Sequence, residues 1–128
     1  MRRILISILV LLGLFMVGCK EQSEGDKYYI QGIKAEQNMQ YETAISSFAR
    51  SLQFNREDAV TWYAKGRCHL LLLMQMSLVD SVSAERDVKI MGNMNKAREC
   101  FKRSDQWGFQ TSSEVDSLQV WLLRSLKD

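Results

Sequence analysis

Four side chains in this sequence could carry out chemistry: Cys19, Cys68, Cys100 and the single histidine, His69. Cys68 and Cys100 could form a disulfide if their backbones come close enough, or remain buried free thiols that pack as small apolar side chains. Two cysteines and one histidine, without the spacing typical of metal ligands, give little support for a metal site. His69 follows Cys68 in an apolar stretch, which favours a hydrogen-bonded core histidine over a catalytic one. Because the sequence also lacks a Ser-His-Asp arrangement and a Gly-rich phosphate loop, it predicts a protein that is not an enzyme and holds no metal or cofactor.

The first nineteen residues have the layout of a secretory signal peptide. Arg2 and Arg3 precede an apolar run over residues 4–17, and Gly18 and Cys19 follow it. A run of this length is shorter than the roughly 20 residues that span a bilayer core as a helix. This segment could be an ordinary secretory signal followed by an unmodified Cys19 thiol, or a single-pass membrane anchor.

The segment Met16-Val17-Gly18-Cys19 resembles the lipobox of bacterial lipoproteins, with Met16 where that family usually has Leu. The resemblance implies that the signal is cut before Cys19 and that Cys19 carries a covalent lipid. It also implies a lipid-anchored protein of the bacterial cell membrane. The residue after the cysteine is Lys20 rather than Asp, which favours the outer membrane over the inner one if the cell is Gram-negative. The predicted organisation is a signal peptide over residues 1–18, a lipidated tether over 19–25 and a helical domain over 26–128.

The mature chain has no excess of positive charge. Removing Arg2 and Arg3 with the signal leaves 15 Lys and Arg residues against 15 Asp and Glu residues. A nucleic-acid-binding protein usually has a basic excess on one face, so we expect no nucleic-acid partner. Membrane contact is expected from the lipid rather than from a polybasic patch.

The mature chain predicts an all-α fold, because it has no proline, no strand-type alternation and many strong helix formers. Two segments repeat. Tyr28-Tyr29-Ile30-Gln31-Gly32 returns as Trp62-Tyr63-Ala64-Lys65-Gly66 after 34 residues, and the spacing of Ala44, Phe48 and Ser51 returns in Ala97, Phe101 and Ser104. This pattern resembles the tetratricopeptide (TPR) repeat, which implies stacked antiparallel helix pairs and close helix packing at Gly32 and Gly66. Ser51 and Ser104 depart from the family, which prefers Ala there.

The second repeat is longer than the first. The distance from Ala44 to Ala97 is 53 residues rather than 34, and the extra residues continue both helical patterns. We therefore predict an elongated second hairpin, with a turn near residues 80–83 and Ser83 capping the returning helix. A capping box at Thr111 and Glu114 begins a final helix that would cover the end of the stack. The five predicted helices span residues 26–38, 41–54, 58–79, 84–107 and 113–127.

The TPR resemblance implies a groove lined by the first helix of each pair, where partner proteins bind. We predict partner-binding residues on that face: Tyr29, Ile33, Tyr63, Arg67, Leu70, Val120 and Arg124. The expected function is a membrane-anchored adaptor that binds another envelope protein. Two alternatives stay open: a small ligand-binding or enzymatic lipoprotein with a pocket between the elongated helices, rimmed by Arg67, Cys68 and His69, or a structural subunit that assembles through its apolar hairpin.

Overall fold

The computed structural model describes residues 21–78 and 83–109, and this part of the chain is helical without strands. It contains α1 (Glu24–Gln37), α2 (Tyr41–Phe54), α3 (Ala59–Leu78) and α4 (Ala84–Gln106). The prediction of an all-α fold is confirmed, and the four helix ranges agree with the predicted ones to within two residues. The signal segment, Cys19 and the predicted fifth helix over 113–127 lie outside the described residues.

Two helices begin at serine caps. The Ser23 hydroxyl accepts a hydrogen bond from the Asp26 amide at 3.2 Å, and the Asp26 carboxylate accepts one from the Ser23 amide at 3.3 Å, so α1 begins at Glu24. The helix therefore starts inside the segment assigned to the tether, because this reciprocal cap satisfies two amides that the first turn leaves unpaired. Ser83 caps α4 as predicted, accepting from the Arg86 amide at 3.2 Å.

Two helices end in the same kind of turn. After α1, Met39 adopts a left-handed conformation with φ of 57°, and the Gln40 amide donates to the Ala35 carbonyl at 2.9 Å. After α4, Gly108 has φ of 90°. Left-handed backbone closes a helix by turning the next amides back onto its last carbonyls. The turn at Met39 sends the chain into α2 after three residues.

The helices form two antiparallel hairpins, α1–α2 and α3–α4, and the same contacts occur in both. Tyr29 packs against Phe48 in the first hairpin with ring centroids 5.7 Å apart, and Tyr63 packs against Phe101 in the second at 5.9 Å. The tyrosines are 34 residues apart and the phenylalanines 53, the two offsets of the sequence repeat. The repeated residue types therefore make repeated contacts.

The serines that depart from the repeat pattern each tie one helix to its partner. The Ser51 hydroxyl donates to the Gly25 carbonyl at 2.8 Å, and the Ser104 hydroxyl donates to the Ala59 carbonyl at 2.8 Å. Both hydroxyls are buried and both find an acceptor at the first turn of the preceding helix. A buried hydroxyl without a partner would destabilise the fold, so these hydrogen bonds explain how both serines are accommodated inside the hairpins.

Gly32 and Gly66 lie where helices approach closely, as predicted. A Cβ atom on Gly32 would lie 2.5 Å from the Phe48 ring, and one on Gly66 would lie 2.9 Å from the Phe101 ring. A side chain at either position would overlap the aromatic residue that fills the hairpin. Glycine is retained there despite its cost of about 1 kcal/mol in helix propensity, because the packing requires it.

The second hairpin is elongated as predicted, since α3 and α4 have 20 and 23 residues against 14 in each helix of the first pair. Leu73 and Ile90 are buried between the extended parts. The two hairpins pack through α2 and α3. One cluster of buried side chains joins the first hairpin to α3, comprising Ala35, Ala44, Phe48, Ala64 and Cys68, and a second fills the longer hairpin, comprising Leu70, Leu73, Ile90, Ala97 and Phe101.

Candidate functional site

Four of the predicted partner-binding residues lie in the described part of the chain, and we call them the first-helix face: Tyr29 and Ile33 on α1, with Tyr63 and Arg67 on α3. All four side chains are half-buried. Tyr29 and Ile33 pack against the first core cluster, and Tyr63 packs against the second. Burial, together with the nearby carboxylates of Asp58 and Glu36, raises the pKa of Tyr29, so its phenol is neutral at physiological pH. The face therefore presents aromatic and aliphatic surface, and the Tyr29 hydroxyl on it is neutral.

Arg67 is already engaged on this face. Its Nε and Nη2 atoms each donate to a carboxylate oxygen of Glu36 at 2.7 Å, and its guanidinium lies 5.6 Å from the Tyr63 ring centroid. Glu36 lies on α1 and its side chain is only 13% exposed, so this fork joins the first helices of the two hairpins. Two of the N–H donors of Arg67 are therefore already paired within the protein. The structure thus gives Arg67 a role in holding the hairpins together.

One of the predicted partner-binding residues is buried, and two others lie outside the described residues. Leu70 is 3% exposed and belongs to the core of the longer hairpin, so it presents no surface to a partner. Its position satisfies the spacing of a groove residue, but the opposing α4 covers it. Val120 and Arg124 lie outside the described residues, as does Cys19, the predicted lipidation site.

Arg67, Cys68 and His69 do not rim a common pocket. Consecutive residues of a helix point about 100° apart, so the three side chains leave α3 in three directions. Arg67 reaches Glu36, Cys68 packs in the first cluster, and His69 Nδ1 lies 2.9 Å from Asn93 Oδ1 on α4. His69 is buried and hydrogen-bonded, as the sequence predicted. Asn93 donates its Nδ2 to the Lys89 carbonyl, so its Oδ1 is the acceptor and His69 Nδ1 carries the proton.

Within the described residues Cys68 and Cys100 are free thiols, and both are buried. Cys68 faces the first hairpin, whereas Cys100 lies beside Gly66 on the opposite side of α3. Burial raises the pKa of Cys68 to about 12 and also raises the pKa of Cys100. Of the two possibilities that the sequence left open, the structure therefore has separate, protonated thiols.

The far end of the longer hairpin leaves apolar side chains on the surface. Leu78 is 82% exposed, and Val88 and Met91 are also exposed. Met74 and Met94 instead pack against the second core cluster. The exposed apolar side chains therefore lie beyond the packed part of the hairpin.

The sequence reasoning missed a cleft on the other side of α3, which we call the rear cleft. It has a volume of about 670 Å³ and lies between α2 and α4, with α3 as its floor. Six of its lining side chains are basic or carry a polar ring: Arg56, Trp62, Lys65, His69, Lys96 and Arg103. Glu99 also lines it, and its carboxylate accepts a hydrogen bond from Arg103 Nε at 3.0 Å.

Trp62 is held firmly at the rear cleft. Its Nε1 donates to the Arg56 carbonyl at 2.8 Å, which fixes the plane of the indole. Lys65 Nζ lies 5.3 Å from the ring centroid and the Arg103 guanidinium 5.0 Å from it. Cations within about 6 Å of an aromatic face are attracted by the ring quadrupole. The Trp62 indole therefore holds two positively charged groups close to its ring.

The rear cleft is lined by four Lys and Arg side chains and one carboxylate from the described residues. Burial lowers the pKa of His69, and the charges of Lys65 and Lys96 lower it further, against a hydrogen bond to Asn93 that raises it. The imidazole therefore stays neutral at physiological pH. A sequence signal for this cleft existed, because Trp62, Lys65 and His69 recur at three- and four-residue spacing along one stripe of α3. The charged residues of α4 complete the rear cleft. They could not be assigned to the same site from sequence alone, because the alignment of α4 against α3 was not known.

No protein-family model, no curated protein and no solved structure matches this chain. Across residues 21–78 and 83–109, no three His, Cys, Asp or Glu side chains are grouped so that they could hold a metal ion. In the same part of the chain, none of the helices combines the length and the apolar character needed to cross a membrane.

Proposed function

We propose that this chain is a lipid-anchored protein of the bacterial cell envelope, with a TPR-like helical domain that acts as an adaptor for another envelope protein. In this proposal Cys19 carries the lipid and the first-helix face binds the partner. The proposal gives the domain no catalytic role and no cofactor beyond that lipid.

The observation that carries the proposal is the duplication of contacts between the two hairpins. The tyrosine–phenylalanine pairs recur, and so do the serine–carbonyl hydrogen bonds, at offsets of 34 residues in the first helices and 53 in the second. The cation–aromatic contact recurs as well, since Arg50 lies over Tyr28 as Arg103 lies over Trp62. Stacked hairpins of one kind form extended surfaces, and helical-repeat proteins use such surfaces for binding.

The first-helix face supports a protein partner rather than a small molecule. Tyr29, Ile33 and Tyr63 combine half-buried rings and an aliphatic side chain, and tyrosine is among the residue types enriched at binding hot spots. Their rings are fixed by packing against Phe48 and Phe101, so little side-chain entropy is lost when a partner binds.

The anchor is tested by metabolic labelling of the full chain with an alkyne analogue of palmitate in a bacterial host. Wild type should be labelled and Cys19→Ser should not. Label on the Ser variant, or no label on wild type, would contradict the anchor, and separation of the two membranes on a density gradient would show whether the outer one holds the protein.

The adaptor role is tested by photo-crosslinking in the intact envelope. A benzoylphenylalanine placed at Ile33 should give a defined crosslinked species, and the same group at the exposed Lys102 of α4 serves as the control. One protein crosslinked from Ile33 and absent from Lys102 supports the proposed face. Identical products from both positions would contradict it.

A further inference from the structure

We propose that the rear cleft binds a short, extended, acidic peptide segment of a protein partner. The inference rests on the proposed adaptor function and adds a second surface with a defined partner chemistry.

The basic side chains of the rear cleft favour an anionic ligand. Arg56, Lys65, Lys96 and Arg103 line the cleft, and within the described residues Glu99 is the one carboxylate that lines it. That carboxylate is already hydrogen-bonded to Arg103, so the other three cations face the cleft without an ion-pair partner among the described residues. Like charges gathered in a cleft attract a counter-charge more strongly than the same charges spread over an open surface.

The cations are also arranged before any ligand arrives. Lys65 and Arg103 are drawn over the Trp62 ring, and the Trp62 indole is anchored by its hydrogen bond to the Arg56 carbonyl. Long basic side chains normally lose rotamer freedom when they bind an anion. Here part of that loss is already incurred in the free protein, which favours binding.

The dimensions fit a peptide. The stripe from Trp62 to His69 runs along α3 for about 10 Å at 1.5 Å per residue. An extended chain covers that distance in about three residues at 3.3–3.6 Å each. Ala49 and Leu52 of α2 line the cleft beside the charges, so an apolar side chain can lie between two acidic ones. The volume of about 670 Å³ accommodates such a segment.

The first-helix face lacks this cluster of basic side chains, because its one cation, Arg67, is paired with Glu36 in a two-point hydrogen bond. The two surfaces lie on different sides of α3, so a partner can occupy either without covering the other.

The test is fluorescence anisotropy with the full chain, purified in a non-ionic detergent without a histidine tag. The probe is a fluorescein-labelled peptide of sequence Glu-Asp-Leu-Asp-Glu, and its neutral counterpart is Gln-Asn-Leu-Asn-Gln. We expect saturable binding of the acidic probe only. The double variant Lys65→Gln with Lys96→Gln should weaken it at least tenfold. The matched control Lys34→Gln with Lys102→Gln removes the same charge from exposed positions outside the cleft and should change affinity less than twofold.

Three results would overturn the proposal: no binding of the acidic peptide up to 1 mM, equal weakening by both double variants, or displacement of the peptide by citrate at the same concentration as by unlabelled peptide. The last result would assign the cleft to small anions. A crosslink from Ile33 together with any of these three results would support the adaptor function and contradict only the rear-cleft proposal. Binding of the acidic peptide without that crosslink would support the rear cleft and contradict the adaptor role of the first-helix face.

A second readout uses the single histidine of the chain. Its imidazole resonances can be followed by NMR through a pH titration, and a bound acidic peptide should raise the pKa of His69 because negative charge stabilises the imidazolium. The neutral peptide should leave the pKa unchanged. A bound acidic peptide that does not move the titration would place the binding site elsewhere and overturn the proposal.

Discussion

Three glycines in helix interiors should respond to alanine in a graded order that the packing sets. Gly32, Gly66 and Gly92 differ in what a new Cβ atom would meet. At Gly32 it would lie 2.5–2.8 Å from three atoms of the Phe48 ring, and at Gly66 2.9 Å from Phe101. At Gly92 no heavy atom of the described chain outside the local helix lies within 4 Å.

The magnitudes follow from two opposing effects. Replacing glycine with alanine in a helix gains about 1 kcal/mol of propensity. Overpacking a core costs about 1–3 kcal/mol, and Phe48, which is fully buried against Tyr29, has little room to move. Gly32→Ala should therefore lower the free energy of unfolding by about 2 kcal/mol net. Gly66→Ala should lower it by about 0–1 kcal/mol and Gly92→Ala should raise it by up to about 1 kcal/mol, because the same gain offsets a smaller cost or none.

The assay is urea unfolding of the chain without residues 1–20, followed by circular dichroism at 222 nm. The order of stabilities, Gly92→Ala above wild type and Gly32→Ala lowest, is the result that matters. A Gly32→Ala variant as stable as wild type would refute the close approach of α1 and α2. A Gly92→Ala variant that loses as much stability as Gly32→Ala would show that packing does not set the order.

Three further predictions concern buried ionisable groups. Because burial lowers the pKa of His69 below 6.5, the unfolded state binds the proton more readily, and the folded state should lose stability as the pH falls through 6.5 toward the lowered pKa. Unfolding free energies from pH 7.5 to 5 should fall more steeply for wild type than for His69→Gln, and equal slopes would exclude the imidazole as the cause. Cys68 and Cys100 should resist Ellman's reagent at pH 8 in the folded chain, since burial keeps the thiols protonated. Both should react in 6 M guanidinium, and rapid reaction of these thiols in the folded chain would contradict their buried placement. Arg67→Ala should lower the free energy of unfolding by about 1–3 kcal/mol, because it leaves Glu36 unpaired. The double variant Glu36→Gln with Arg67→Gln should lose less unfolding free energy than the sum of the two single variants. Additive losses in urea unfolding would contradict the direct ion pair.

The sequence correctly predicted the positions of residues that act in helix packing and capping. Gly32 and Gly66 contact the expected aromatics, and Ser83 caps the expected helix. These assignments depend on local chemistry and on a period, both of which the sequence carries directly. α1 begins two residues before the predicted start, because Ser23 and Asp26 form a capping box that uses Asp where Glu is the usual partner.

Surfaces were harder to predict, because each depends on which residues of different helices meet. Leu70 satisfied the spacing of a groove residue, but the length of α4 buries it. Arg67 had the right type and position, but its partner Glu36 lies 31 residues away on another helix. The rear cleft combines Lys65 with Lys96, whose alignment depends on the register of the elongated hairpin.

The order of helix contacts has a consequence for how the domain yields to mechanical load. Within the described residues, extensive packing joins only consecutive helices, so α1 is held mainly by α2, while the Glu36–Arg67 ion pair and the first core cluster link it to α3. Tension applied through the N-terminus reaches α1 first, and α1 can peel away while the longer α3–α4 hairpin stays folded. In native-state hydrogen exchange the amides of α1 should open at lower free energy than those of α3. α1 would then extend under force and leave the α3–α4 hairpin intact.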